Sequence, residues 1–239
     1  MNLEHKTSLV AHGGFSSEYP ENTLESYVAS LPFEPDGIEM DIVFFEGELY
    51  CFHPETPNYS DEDIWLELSQ KNNLNEVNFT LISKQLLGFA GFLLLDLKQK
   101  DTNLLPVLLA AIEDFQNMSN QAIWVGARTR THMEIFEEYR ETIKILAMPK
   151  NIRNVSEFLE NSPDGIRLWS DEVSNTNILD FHNQGIKVFV TPGKPATLTS
   201  ARTSGNIDQV MLLDLIASGV DAVLVNDIEM ARNVYPVKS

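Results

Sequence analysis

Two pairs of ionisable residues sit two apart inside otherwise apolar runs. In Gly37-Ile38-Glu39-Met40-Asp41-Ile42, two carboxylates alternate with aliphatic side chains. An extended chain has a side-chain period of two. Glu39 and Asp41 therefore leave one face, and Ile38, Met40 and Ile42 the other. Two carboxylates turned toward a protein interior need a cation, because desolvation and mutual repulsion otherwise oppose their ionisation. Oxygen ligands of this kind suit Mg²⁺ or Ca²⁺ better than zinc. The run Leu93-Leu94-Leu95-Asp96-Leu97-Lys98 repeats the device. Asp96 is a candidate third metal ligand, and Lys98 either binds phosphate or balances the carboxylates.

Two histidines end further apolar runs. His12 follows residues 9–11 and precedes Gly13-Gly14, where a backbone or a ligand can approach closely. His53 ends residues 48–53. A pair of imidazoles near a metal and a lysine suits general acid–base catalysis at neutral pH. Each feature alone has a plain structural reading: a charge network, a hydrogen-bonded histidine, a solvated strand end. Their recurrence at successive strand ends is what points to chemistry. His5, His132 and His182 lie in tail or helical contexts and read as surface residues.

Such strand ends meet only if the strands are parallel neighbours. The chain alternates short apolar runs with helix-like stretches. Strands are predicted at 9–11, 37–45, 92–98, 122–127, 142–148, 165–169, 187–190 and 221–226. Helices are predicted at 22–31, capped by Thr23, and at 83–89, 104–115, 131–139, 156–160, 175–184, 207–218 and 228–233. Glu46-Gly47 reads as a tight turn into 48–53, so a hairpin leaves after the second strand. Residues 54–79 read as an acidic loop or small excursion, marked by Pro54, Pro57, Asn58, Asp61 and Asp63. This alternation implies right-handed crossovers between parallel strands. No GxGxxG or GxxxxGK[ST] follows a strand, which weighs against an open nucleotide-binding sheet. The expected fold is α/β, a (β/α)8 TIM barrel formed by one domain over residues 1–239, with function at the C-terminal ends of its strands.

Composition narrows the partners. With 239 residues the chain suits one such barrel, and 43% hydrophobic residues suit a soluble globular core. The net charge of −18 disfavours nucleic acid and anionic membranes. It also opposes an anionic substrate at long range, so a bound divalent cation would have to reverse the sign locally. The single Cys51 excludes an internal disulfide and a cysteine-based zinc site. The apolar stretch 86–95 is too short for a bilayer, and the N-terminus lacks a signal-like apolar region, so a cytoplasmic protein is expected.

Val10-Ala11-His12-Gly13-Gly14, then Pro20-Glu21-Asn22-Thr23-Leu24, then Glu39-Met40-Asp41 resembles the opening of the glycerophosphodiester phosphodiesterases. Their pattern is roughly A-H-R-G, P-E-N-T-L, E-x-D, then H-D. Asp96-Leu97-Lys98 stands where that family has Glu-x-Lys, and Gly219-Val220-Asp221 through Asn226-Asp227 resembles its closing strand. The resemblance implies a (β/α)8 barrel, one divalent cation (Mg²⁺ or Ca²⁺), and hydrolysis of small glycerophosphodiesters to glycerol 3-phosphate and an alcohol. By position, Glu39, Asp41 and Asp96 would hold the metal. His12 and His53 would be the acid–base pair, and Lys98 would stabilise phosphate charge. The implied route has two steps: a substrate hydroxyl attacks phosphorus, and water then opens the cyclic phosphate.

The departures are specific. The family arginine after the first histidine is Gly13, the aspartate after the second is Pro54, and the third ligand is Asp96 rather than Glu. A replacement phosphate cation is predicted at Arg128. Arg167 is a weaker candidate that would serve equally as a core ion pair, and Trp169 either lines the pocket or packs. Asp96-x-Lys98 and the short interval after His53 also resemble sphingomyelinase D-like barrels, which lack the Pro-Glu-Asn-Thr segment. Two alternatives stay open. One is phospholipase D-like or lyase action on a larger (lyso)phospholipid, with Trp65, Phe79 and Leu86–Leu87 as an apolar rim. The other is a phosphodiester-binding barrel without turnover.

Overall fold

The computed structural model describes residues 6–55, 59–193 and 204–236. His5, Pro57 and Asn58 lie outside the described residues. The elements run in this order: β1 (Ser8–His12), α1 (Leu24–Ser30), β2 (Gly37–Phe45), β3 (Glu48–Cys51), α2 (Asp61–Ser69), α3 (Phe79–Gln85), β4 (Phe92–Leu97) and α4 (Leu105–Met118). The second half follows with β5 (Ile123–Ala127), α5 (Arg130–Phe136), β6 (Lys144–Ala147), α6 (Ser156–Leu159), β7 (Gly165–Trp169), α7 (Asn175–His182), β8 (Lys187–Thr191), α8 (Gln209–Ala217), β9 (Ala222–Val225) and α9 (Ile228–Val234).

The strands close on themselves. β1 pairs in parallel with β2 on one side and with β9 on the other, and each remaining barrel strand pairs in parallel with the next. β3 alone runs antiparallel, Ile42 opposite Cys51 through Phe45 opposite Glu48, and lies outside the ring. This is the expected (β/α)8 barrel with a hairpin after its second strand. Thr23 caps α1 by accepting the Ser26 amide, as its position before an amphipathic run predicts.

Strand alternation sorts the two faces. Ile38, Met40, Ile42, Leu93, Leu95, Leu97, Ile166 and Leu168 pack outward beneath the helices. Val10, Leu94, Trp124, Leu146, Phe189 and Leu224 fill the barrel interior. Within that inner cluster the Trp124 and Phe189 rings pack at a 45° tilt with centroids 4.9 Å apart. The barrel interior thus holds a packed apolar plug, with Arg167 on β7 in register with its Phe189.

Four expectations need correction. Residues 61–69 form helix α2, closed by a reciprocal capping box between Ser60 and Asp63. The helix expected at 83–89 starts earlier, at Phe79, capped by Asn78. Phe79 and Leu86 are core residues rather than a rim; Trp65 alone of that proposed set is strongly exposed, at 44%. His132 is fully buried on the inner face of α5, and His182 is half-buried and paired with Asp221 at 2.7 Å, so neither is a simple surface residue. No helix among the described residues is long and apolar enough to cross a membrane.

Candidate active site

Strand register brings the ionisable residues together. His12 lies opposite Glu39 across β1 and β2, and Asp41 lies opposite Asp96 across β2 and β4. Lys98 directly follows β4, and Arg128 directly follows β5. All six side chains gather at the C-terminal mouth of the barrel, where neighbouring parallel strands must end together.

Glu39, Asp41 and Asp96 are buried, and each offers an oxygen within 4.8 Å of the others. Burial, together with the charge of Asp41, holds the Glu39 carboxyl well above the usual carboxylate range. Its near contacts are the Gly13 amide at 3.0 Å and His12 Nε2 at 4.0 Å. The Gly13 amide reaches Glu39 because that residue has φ +61°, a conformation most side chains disfavour. Crowded, buried, oxygen-only donors fit a hard divalent cation, which would let Glu39 and Asp41 ionise side by side.

The other edge of the cluster is already cationic. Lys98 Nζ contacts Asp96 Oδ2 at 2.6 Å and also bonds closely to Asp41 Oδ1. Arg128 grips Asp96 with a two-point fork, Nε to Oδ1 at 2.9 Å and Nη2 to Oδ2 at 2.5 Å. Burial alone would raise the Asp96 pKa, but Arg128 and Lys98 reverse the sign and hold it below its ordinary value. For Lys98, burial works against the charge, yet Asp41 and Asp96 raise its pKa on balance.

The histidines differ in their supports. His12 is buried, and its Nδ1 lies 2.8 Å from Asn226 Oδ1. The Asn226 Nδ2 donates to the Ser204 carbonyl and to Asn206 Oδ1, which fixes its Oδ1 as an acceptor. The proton of a neutral His12 ring therefore sits on Nδ1, and the Nε2 lone pair faces the Glu39 side. Gly205 presses against this pair: a Cβ there would collide with both Asn226 Oδ1 and His12 Nδ1. His53 stands just past β3, after Phe52, whose amide donates to the Asp41 carbonyl at 2.8 Å. His53 Nδ1 lies 2.7 Å from the Pro54 carbonyl, an acceptor only, so Nδ1 carries its proton as well. Its ring meets Tyr59 edge-on at 5.8 Å.

Several participants carry no signal in the ionisable pattern. Asn22 Nδ2 donates to Asp41 Oδ2 at 2.8 Å, while its Oδ1 accepts the Asp41 amide and the Tyr27 hydroxyl. Asn226 follows β9 at the position that Leu224 begins by the same two-residue rule; as a neutral amide it gives no charge to notice. On β7, Arg167 is buried and Trp169 half-buried, with the guanidinium stacked 4.2 Å from the indole centroid. Trp169 Nε1 also donates to the Lys150 carbonyl at 3.2 Å. Burial first, then the charge of Arg128, pulls the Arg167 pKa down to about 10.

No protein-family model matches the sequence, and no curated protein matches it either. Solved structures do match along nearly the whole chain. A glycerophosphodiester phosphodiesterase from Parabacteroides distasonis superposes with a TM-score of 0.75 at 14% identity, covering 97% of this chain and 97% of its own. A phosphodiesterase from Oleispira antarctica, solved in complex with its product sn-glycerol-3-phosphate, gives 0.73 at 17% identity over 95% of this chain and 96% of its own. A glycerophosphodiester phosphodiesterase from Agrobacterium tumefaciens gives 0.68 at 16% identity, covering 95% and 100%. The described chain thus has the barrel fold of the glycerophosphodiester phosphodiesterases.

Proposed function

We propose that the protein is a metal-dependent phosphodiesterase that hydrolyses small glycerophosphodiesters to glycerol 3-phosphate and an alcohol. The observation that carries this reading is the convergence of Glu39, Asp41 and Asp96 within 4.8 Å, beside Lys98 and His12. The arrangement sits on a barrel shared with phosphodiesterases of that class, one of them holding sn-glycerol-3-phosphate.

Glu39, Asp41 and Asp96 would hold one divalent cation, Mg²⁺ or Ca²⁺. When bound, that ion would supply positive charge against the phosphoryl oxygens. The residues of the chain do the rest. With Nδ1–H held by Asn226, His12 offers Nε2 as the base that takes the proton of a substrate hydroxyl. That oxygen bonds to phosphorus, and the ester bond to the leaving alcohol breaks. His53, in its doubly protonated form, gives the Nε2 proton to the departing alkoxide. Water then opens the cyclic phosphate with the two roles reversed. Lys98, held charged by Asp41 and Asp96, offsets the charge that grows on the phosphoryl group.

A second reading keeps one specific support. Both oxygens of Asp96 already engage cations, Arg128 and Lys98, so the chain could bind a phosphodiester without turning it over.

Release of glycerol 3-phosphate from a panel of glycerophosphodiesters, with Mg²⁺, Ca²⁺ or EDTA, tests the choice. Metal-dependent release that H12A abolishes is the expected result. Phosphodiester binding without release, under every metal, would replace hydrolysis by the binding reading.

A further inference from the structure

If the mouth takes a phosphodiester, as just proposed, its non-bridging oxygens need a cation in place of the one that Gly13 cannot supply. β7 carries such a group. Its neighbours Ile166 and Leu168 pack outward, so Arg167 faces the barrel interior. Only 4% of Arg167 is exposed.

Two other arginines, half-buried Arg128 and buried Arg232, show what a structural arginine looks like in this protein. Arg128 is forked onto Asp96, and Arg232 bonds Asp36 at 2.7 Å as well as the Glu34 carbonyl. Among the described residues, Arg167 has no such partner. Nη2 reaches only the Pro149 carbonyl, at a long 3.5 Å. Nε and Nη1 bond to nothing among the described residues. The core ion pair that the sequence left open is therefore not made there. What holds the group is the Trp169 ring, 4.2 Å away. An indole face fixes the plane of a guanidinium without cancelling its charge.

A buried cation with idle donors is costly, and the cost is relieved when an anion with several oxygens arrives. A phosphate group offers such oxygens at hydrogen-bonding spacing to a planar fork. Arg128 cannot serve as fully, because two of its nitrogens already hold Asp96. We propose that Arg167 is the phosphate-gripping residue of this site: its guanidinium donates to the non-bridging oxygens from β7, supplying the charge that Gly13 does not supply from β1. Trp169 is then a positioning residue that presents the fork.

The test is calorimetric titration of inorganic phosphate into the Mg²⁺-supplemented protein, as native chain, R167M and R167K. The phosphate dissociation constant is expected to rise roughly ten- to a hundredfold in R167M, and less in R167K, which keeps the charge without the fork. Mg²⁺ affinity should be unchanged in both. Without ligand, R167M should melt no lower than the native chain, since an uncompensated buried charge has been removed. Native-like phosphate affinity in R167M overturns the proposal, and so does a native chain that binds no phosphate at millimolar concentration. If R167M fails to fold, native-like affinity in R167K overturns it instead. Turnover is scored separately. Arg167-dependent phosphate binding in a chain that releases no glycerol 3-phosphate would sink the hydrolase reading and leave this one standing. Turnover with Arg167-independent binding would do the reverse.

Discussion

Asn22 and Asp41 hold each other at both ends of one amide: Asn22 Nδ2 donates to Asp41 Oδ2 at 2.8 Å, and Asn22 Oδ1 accepts the Asp41 backbone amide at 3.0 Å. The link ties the turn before α1 to β2 and aims one carboxylate of the cluster. Asn22 adopts φ +60°, which asparagine tolerates better than most residues. N22D replaces the donor with a second buried carboxylate facing Asp41. N22A removes both bonds and adds backbone strain. Each variant should lose about 1–3 kcal/mol of stability, the cost of leaving buried polar groups unmatched. Urea unfolding measures it. Native midpoints in both would show that Asn22 does not brace Asp41.

The metal assignment makes a separate prediction. A ligand that binds only the folded chain raises its stability by mass action, about 2.7 kcal/mol at a hundred times its dissociation constant. Mg²⁺ or Ca²⁺ should therefore raise the melting temperature of the native protein, and EDTA should reverse the shift. E39A and D41A should abolish the response while still folding, because each deletes a carboxylate from a crowded, mutually repelling group. A full metal-induced shift in both variants would refute the ligand set.

The part of this site that the sequence reveals is the part written in charge. Glu39, Asp41, Asp96 and Lys98 break apolar runs at a period of two, so their common face can be read without coordinates. The register that sets Asp41 against Asp96 follows once the strands are parallel neighbours. Asn22 and Asn226 obey the same geometry, but neutral amides disturb no electrostatic expectation. Helix α2 hides for a different reason: Ile64 and Leu68 are its only buried residues, too few to stand out in an acidic segment. A helical context makes His132 read as a surface residue, yet α5 turns it against Phe136, with ring centroids 6.3 Å apart. That no carboxylate among the described residues pairs with Arg167 is a fact of packing, which a one-dimensional pattern cannot hold.

His132 should make stability depend on pH. Burial, helped by the nearby positive charge of Arg128, outweighs the opposing pull of the Lys100 backbone and lowers its pKa below the ordinary value. The folded state therefore keeps the ring neutral where the unfolded state binds a proton. In that window the unfolded chain holds more protons, so stability rises with pH. Starting from neutral pH, stability should begin to fall as pH drops through the unfolded imidazole pKa, about 6.5. The loss should continue until the lowered folded pKa is passed. In H132F the slope over that range should flatten. Urea midpoints measured from pH 7.5 downward would show it, and an unchanged slope in H132F would assign the acid sensitivity elsewhere.

The bond between His12 and Asn226 predicts a coupled effect on catalysis. H12A removes the proposed base and should lower kcat by roughly 10²–10⁴, the usual worth of acid–base help. N226A leaves the imidazole in place but removes the 2.8 Å acceptor that keeps the proton on Nδ1. The ring can then present the wrong nitrogen, so kcat should fall by less than in H12A, with KM little changed. The decisive variant is the double mutant. If Asn226 acts only through His12, adding N226A to H12A should cost nothing further, because residues working as one unit are strongly non-additive. Asn226 also braces Ser204 and Asn206, so a purely structural role would instead lower activity by the same factor in either background. Equal factors would reduce Asn226 to a loop anchor. Non-additivity would make it the group that sets the tautomer of the base.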